Sequence, residues 1–238
     1  MSMTIEREQR VGDIVAAYSQ ASNVFKEHGI DFCCGGKQTL AEVARKKKLD
    51  EQELVNWLNQ VCTVERPVWP LDWRDSKQKL TKLIEHIVHQ HHDFLRRELP
   101  VLRDFVRKVA RVHGADHPEL ITVEQLYVKL CEELLEHVDK EEKELFPVVR
   151  KAEEEGTAEA LQAALNLVEE LEAEHDGAGE LLRLIRKATN DFVLPAGTCM
   201  TYTVTFRKLE ELEDDMFTHV HLENNLLFPE LAAMRKAV

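Results

Sequence analysis

The sequence is short of what a sheet protein needs. Aromatic residues make up 6% of its 238 positions, and it has only nine glycines and seven prolines. Frequent strands and tight turns are therefore disfavoured. No apolar run approaches the ~18–20 residues of a membrane span. The opening MSMTIEREQR lacks the apolar core of a secretory signal. Five cysteines (Cys33, Cys34, Cys62, Cys131, Cys199) form an odd count without the spacing of a disulfide framework, which points to a reducing, cytoplasmic setting. Basic charge is also scarce. Lys and Arg number 31 against 44 Asp and Glu, a net charge of −13 that disfavours non-specific binding to nucleic acid. What remains is a chain with 32% charged residues and enough length for a proper core, which reads as all-α.

Residues 11–29 carry Ile14, Val15, Tyr18, Val24 and Phe25 at roughly helical spacing and stop at Gly29, predicting one broken helix or two short ones. After DFCCGGKQTL, Thr39 and Glu42 match a capping box. Asp50 offers a second helix start, with Leu54, Trp57, Leu58 and Val61 as an apolar stripe. Residues 1–64 thus read as a small helical domain that docks on the remainder, because so short a stretch has little core of its own. Residues 65–75 read as an ordered linker, within a TVERPVWPLDWR segment holding two prolines and two tryptophans.

Residues 76–238 carry four long amphipathic segments, near 76–112, 122–153, 157–189 and 198–235, with Pro100 marking a kink or break in the first. The third shows the seam best: Leu161, Ala164, Val168, Leu171, His175, Ala178, Leu182 and Ile185. Steps of three and four with short connections predict an up-down four-helix bundle. The second seam reads Leu130, Leu134, His137, Glu141 and Val148. The fourth reads Leu209, Leu212, Met216, His219, Glu223 and Leu226.

Two of these segments contain the same pattern. Residues 137–147 (HVDKEEKELFP) and 219–229 (HVHLENNLLFP) both fit H-V-x-x-E-x-x-x-L-F-P. The spacing places His137 with Glu141, and His219 with Glu223, one turn apart on one helix face. Polar groups at positions that packing reserves for leucine need compensation, since an unpaired buried carboxylate costs several kcal/mol in order of magnitude. One such histidine is usually a hydrogen-bonded core residue. His137, Glu141, His175, His219 and Glu223 together point to metal. The first helix offers His86, His89, His91 and His92; His92 fits the seam best and His91 nearly as well. Four imidazoles and two bridging carboxylates would give each of two ions four protein bonds. A solvent-derived oxo or hydroxo bridge adds a fifth, and a sixth position stays open for a small ligand. That count suits two non-haem irons rather than structural zinc. Glu133, four residues before His137, is a candidate to orient the site or relay protons.

Cys33 and Cys34 are adjacent, a poor geometry for a mutual disulfide. A helix start and Lys37 nearby would favour thiolate, fitting the pair to bind iron, take up nitric oxide or exchange with an external thiol. The other reading is a tight turn holding two small buried residues. Cys62, Cys131 and Cys199 read as structural.

The stretches DFCCGGKQTL, DWR at 72–74, HHD at 91–93, HVDKEE with LFP, EHDGAGELL at 174–182 and HVHLENNLLFP together resemble the iron–sulfur cluster repair di-iron proteins, also called the repair of iron centres family. The resemblance covers nearly the whole chain. It implies a haemerythrin-like di-iron bundle behind a short domain carrying the paired cysteines. The family's His-Asp pair falls on His92 and Asp93, and its other ligands on His137, Glu141, His175, His219 and Glu223. Where members have tyrosine before the first ligand, this chain has His91. The resemblance also implies a bacterial cytoplasmic protein that restores clusters damaged by nitrosative or oxidative stress, with damaged iron–sulfur proteins as partners and iron as what it supplies. The alternatives it leaves are nitric oxide binding or reduction to nitrous oxide at the irons, and sensing or carriage of oxygen or nitric oxide. Neither nucleic acid nor membrane is an expected partner, and the oligomeric state, a homodimer included, stays open.

Overall fold

The computed structural model describes residues 4–63 and 79–235. The linker over 65–75, the DWR triplet and the expected helix start at 76 lie outside the described residues. Every regular element among those described is helical, apart from one isolated antiparallel bridge between Arg10 and Thr39. Four short helices come first: α1 (Val11–Ala17), α2 (Ala21–Glu27), α3 (Leu40–Lys47) and α4 (Glu51–Val61). The stretch before Gly29 is therefore two helices. Thr39 and Glu42 close a reciprocal capping box on α3, and the Asp50 side chain accepts from the Glu53 N–H to start α4. Of the expected stripe on α4, Leu54 and Leu58 are fully buried, Trp57 is half-buried against His28, and Val61 is exposed.

The second part consists of four rods. Three of them are interrupted by a single five-residue π turn. The first is α5 (Lys79–Ile87), a π turn over Val88–His92, and α6 (Asp93–His113). Pro100 lies inside α6 and does not break it. A proline removes one N–H from the ladder, and here the helix continues because its packed face is unaffected. Leu95, Leu99, Leu102 and Val106 stay buried on both sides of it. The second rod is α7 (Glu119–Lys140), a π turn over Glu141–Leu145, and α8 (Phe146–Glu155). The third is the unbroken α9 (Ala158–Ala188). The fourth is α10 (Met200–Leu222), a π turn over Glu223–Leu227, and α11 (Phe228–Met234).

Each π turn slips the seam by one residue. A strict heptad from Glu141 predicts Val148 in the core, yet Val149 is fully buried and Val148 only half-buried. In the first rod Ile87, five residues before His92, is fully buried, whereas Val88, four before it, is only half-buried. Two of the three π turns begin at the glutamate of the repeated motif, and Pro147 and Pro229 stand at the start of the helices that resume after them. A proline there cannot donate back to the preceding turn, so widening that turn loses less than it would elsewhere.

Three apolar clusters build the core. One fills the four short helices, from Ile5 to Cys62. The rods contribute two, one including Leu95, Leu130, Leu182 and Met216, the other Leu83, Val149, Leu161 and Leu231. Between these two lies a belt of buried His and Glu.

The short helices sit on the bundle through a close backbone approach. A Cβ on Gly36 would stand 2.1 Å from Asn225 Oδ1 and 2.7 Å from the Phe32 carbonyl; one on Gly12 would stand 2.4 Å from the same Oδ1. Phe32 packs on Phe217 and edge-on to His221, and Lys26–Asp214 and Lys37–Glu172 ion pairs flank the contact. Gly36→Ala is expected to destabilise the protein by about 1–3 kcal/mol through overpacking at this backbone contact. Urea unfolding measures it; an unchanged midpoint would contradict the close approach.

Candidate metal centre

The buried belt gathers residues from all four rods. His92 comes at the end of the first π turn, Glu141 and Glu223 at the start of the other two, His137 and His219 one turn earlier on α7 and α10, and His175 from α9. All six are at most 4% exposed. Two four-residue groups have ligand atoms mutually within 4.8 Å: His92, Glu141, His219 and Glu223, and His137, Glu141, His175 and Glu223. Both glutamates belong to both groups. The Nε2 atoms of His137 and His175 are 2.9 Å apart, and those of His92 and His219 are 3.1 Å apart. Glu141 Oε2 lies 3.3 Å from His92 Nε2 and 3.5 Å from His137 Nε2; Glu223 Oε2 lies 3.1 Å from His175 Nε2 and its Oε1 3.2 Å from His219 Nε2.

The outward ring nitrogens are held as well. His92 Nδ1 meets Glu142 at 2.8 Å, His137 Nδ1 meets Glu174 at 2.7 Å, and His175 Nδ1 meets the Asn224 side-chain oxygen at 2.9 Å. With Nδ1–H donating to these oxygens, the Nε2 lone pairs point inward, the tautomer a metal ligand needs. Arg96 braces Glu142 and Lys140 braces Glu174. Glu142, Glu174 and Asn224 escaped the sequence reading, although each is the direct chain neighbour of a candidate ligand; nothing in helical periodicity alone selects them.

Glu133 is misplaced in that reading. It is exposed and faces Lys129, four residues away on the same helix. Counted back from His137 the buried line steps three to Leu134 and four to Leu130, so Glu133 falls beside it. The orienting role next to His137 belongs to Glu174. His91 is also buried, but it turns to Asp215 (2.9 Å) and lies parallel to the His219 ring, outside both four-residue groups.

The chemistry of the belt fits a cation. Both oxygens of Glu141 and Oε2 of Glu223 have no hydrogen-bond partner despite complete burial. Inward lone pairs of neighbouring imidazoles repel unless something positive lies between them. Protons can partly fill that role. Burial and the adjacent Glu223 push the Glu141 carboxyl up to about 8. Burial works on Glu223 too, but His219 and His175 outweigh it and hold its carboxyl well below the usual range. Burial would lower His175, yet Glu223 and Glu141 outweigh it and push the ring up to about 9. Burial lowers His92 and His219.

The paired thiols lie in a turn of the N-terminal part. Cys33 Sγ is 3.9 Å from Cys34 Sγ and 3.2 Å from Asp31 Oδ1, and that oxygen also accepts from the Cys33 and Cys34 N–H groups. The expected thiolate activation does not hold for Cys33. α3 begins only at Leu40, and Lys37 pairs with Glu172. The Cys34 thiol, burial and the Asp31 charge together push Cys33 well above the usual thiol range. Cys62 and Cys131 are buried, whereas Cys199 is exposed at the start of α10, 3.2 Å from His113 Nε2.

Thiol turn and belt meet at two successive asparagines. Asn224 holds His175, and Asn225 donates to the Cys33 carbonyl at 2.9 Å and lies beside His221. His221 is fully buried, and burial pushes it down to about 4.

Residues 83–231 match the family described as the haemerythrin HHE cation binding domain, and residues 7–62 match a domain of unknown function, DUF542. Over 228 residues, 95% of this chain and 98% of each relative, the sequence is 37% identical to proteins named iron–sulfur cluster repair protein YtfE from Shigella boydii serotype 4 (strain Sb227) and Escherichia coli O139:H28 (strain E24377A / ETEC). It is 36% identical over the same length to the one from Citrobacter koseri (strain ATCC BAA-895 / CDC 4225-83 / SGSC4696). The fold is thus that of the haemerythrin HHE class of cation-binding proteins, and the buried belt lies within the matched residues. Within that class, the chain belongs to the family of the iron–sulfur cluster repair protein YtfE.

The protonation of the belt predicts a pH dependence for the metal-free protein. Glu141 and His175 both bind protons more tightly folded than unfolded, where they would titrate near 4.5 and 6.5. Such stabilisation is lost as pH rises through about 8 and 9. The urea midpoint of metal-free protein should therefore fall between pH 6.5 and 9, and a midpoint that rises over this window would contradict the assignment.

Proposed function

We propose that this chain repairs iron–sulfur clusters damaged by nitrosative or oxidative stress by supplying iron stored in the buried belt. The observation that carries the reading is the pair of buried carboxylates shared between four imidazoles, three of whose four oxygens have no hydrogen-bond partner. His92 and His219 would hold one ion, His137 and His175 a second, and Glu141 and Glu223 both. The solvent-derived bridge expected from the coordination count belongs to the same proposal. So does the division into a thiol domain over 1–64, a linker over 65–75 and a bundle over 76–238.

When bound, iron is the ion that a damaged cluster has lost. The protein's own residues make it retrievable. The hydrogen bonds from Glu142, Glu174 and Asn224 keep three imidazoles aimed inward. Apolar clusters on either side of the belt limit access by water. Imidazole and carboxylate suit iron without the softness of thiolate, so a sulfur-rich acceptor can draw the ion away. The acceptors would be damaged iron–sulfur proteins of the bacterial cytoplasm; no described helix is long and apolar enough to cross a membrane. The curated relatives carry the repair name, which favours this reading over nitric oxide turnover and over gas sensing or carriage.

Two experiments test it. Replacing Glu141 or Glu223 with leucine should remove at least one iron per chain, read by metal analysis; two irons remaining in both variants would refute the shared ligands. Iron-loaded protein should restore activity to a nitrosylated iron–sulfur enzyme in a ferrous-free buffer, and metal-free protein should not. Equal recovery with metal-free protein would overturn iron supply. Loading at pH 7 should also release about two protons, from Glu141 and His175, seen as a buffer-dependent binding enthalpy.

A further inference from the structure

Among the described residues, the belt leaves one group of potential metal ligands unused. Asp31, Cys33 and Cys34 present a carboxylate oxygen and two sulfurs within 4.8 Å of one another, on a turn whose backbone is pinned by Asp31 and by Asn225. The sulfur separation is informative. Two thiolates bound at about 2.3 Å to a tetrahedral ion stand roughly 3.8 Å apart. The observed 3.9 Å already has that spacing, whereas a disulfide requires about 2.05 Å. Asp31 Oδ1 lies 3.2 Å from the Cys33 sulfur, so one ion can touch all three with small side-chain movements.

The surroundings leave room for an ion to enter. A cavity of about 400 Å³ is lined by Cys33, Cys34, Asp31 and His175 among others, and a second of about 90 Å³ by Cys33, Cys34, Glu172 and Asn224. Asp176 lines both and is a carboxylate available to complete the coordination. Cys34 lies against α9 at Gly179, where a Cβ would stand 3.9 Å from its Sγ, an ordinary contact distance. Gly179 is four residues past His175, so the thiol pair sits about 6 Å along the helix axis from a belt residue.

We propose that Asp31, Cys33 and Cys34 form a third cation site, distinct from the belt, that takes one thiophilic divalent transition ion. Both thiols release their protons to solvent as the ion binds. Two thiolates and a carboxylate then surround a doubly charged ion, leaving a net charge of −1, and the position toward the cavities stays open for Asp176 or an incoming ligand. The site stands on its own geometry and does not depend on the repair reading. It does give the paired cysteines a use that packing in a turn does not.

Cobalt(II) is a suitable probe, because thiolate ligation produces an intense near-ultraviolet charge-transfer band that imidazole and carboxylate ligation does not. Cobalt added anaerobically to iron-loaded, full-length protein should produce this band with an end point of one equivalent, and zinc should abolish it. Cys33→Ser/Cys34→Ser should remove the band while the iron content stays the same, and Cys62→Ser should leave it intact. Asp31→Asn, which keeps the turn's acceptor oxygen, should weaken cobalt binding by roughly tenfold or more. No charge-transfer band in the wild-type protein, or one that persists in the double serine variant, would overturn the site. Failure of the belt to hold iron would register separately, as a low iron content on metal analysis and cobalt uptake beyond the one equivalent that produces the thiolate band.

Discussion

The constraint on which the structure depends is the burial of two carboxylates and four imidazoles between the two apolar halves of a helical bundle. Hydrophobic packing alone would select leucine at every one of these positions. The polar groups are tolerable because their charges are shared among themselves and, in a cation-binding protein, with the ion. Burial and the neighbouring Glu223 charge oppose ionisation of Glu141 in the absence of a cation. The upward shift of Glu141 and the downward shift of Glu223 are the two sides of that conflict. A divalent ion held there would resolve it by replacing protons with a charge within reach of both carboxylates.

The π turns are the backbone's answer to the same constraint. An α-helix cannot place His137, Glu141 and the leucines that follow on one line over three turns without drift, and one extra residue resets the phase. Two of the turns open at the belt residues Glu141 and Glu223, and the first closes at His92. The uninterrupted α9 contributes a single belt residue, His175, and needs no reset. The turn at Glu223 has a second use, since it exposes Asn224 to one side and Asn225 to the other. One holds a belt histidine and the other holds the cysteine turn. The N-terminal helices are thereby attached to the residues that shape the belt, through a contact that only glycine at positions 12 and 36 permits.

Much of this was legible beforehand. The doubled H-V-x-x-E-x-x-x-L-F-P and the three- and four-residue steps of α9 are local signals, because helical periodicity converts spacing directly into a shared face. The capping residues Thr39 and Asp50 act within one turn and were equally readable. Errors arose where a residue's role depends on phase or on another rod. Val148 missed the core because the π turn shifted the seam. Glu133 missed the belt because it lies beside the buried line of Leu130, Leu134 and His137. Pro100 did not break its helix because the packed face around it was intact.

By itself, the sequence determined the helical class, the four-rod arrangement and the residue types at the belt, since these follow from period, composition and the cost of burying charge. Only the tertiary structure decided the rest. It turned His91 to Asp215 and His92 into the belt, and gave the outward nitrogens their partners Glu142, Glu174 and Asn224. It also set Cys33 and Cys34 against α9 with Asp31 beside them. Each of these depends on which side chain another helix brings to within about 3 Å, and that distance has no counterpart in the spacing of residues along a chain.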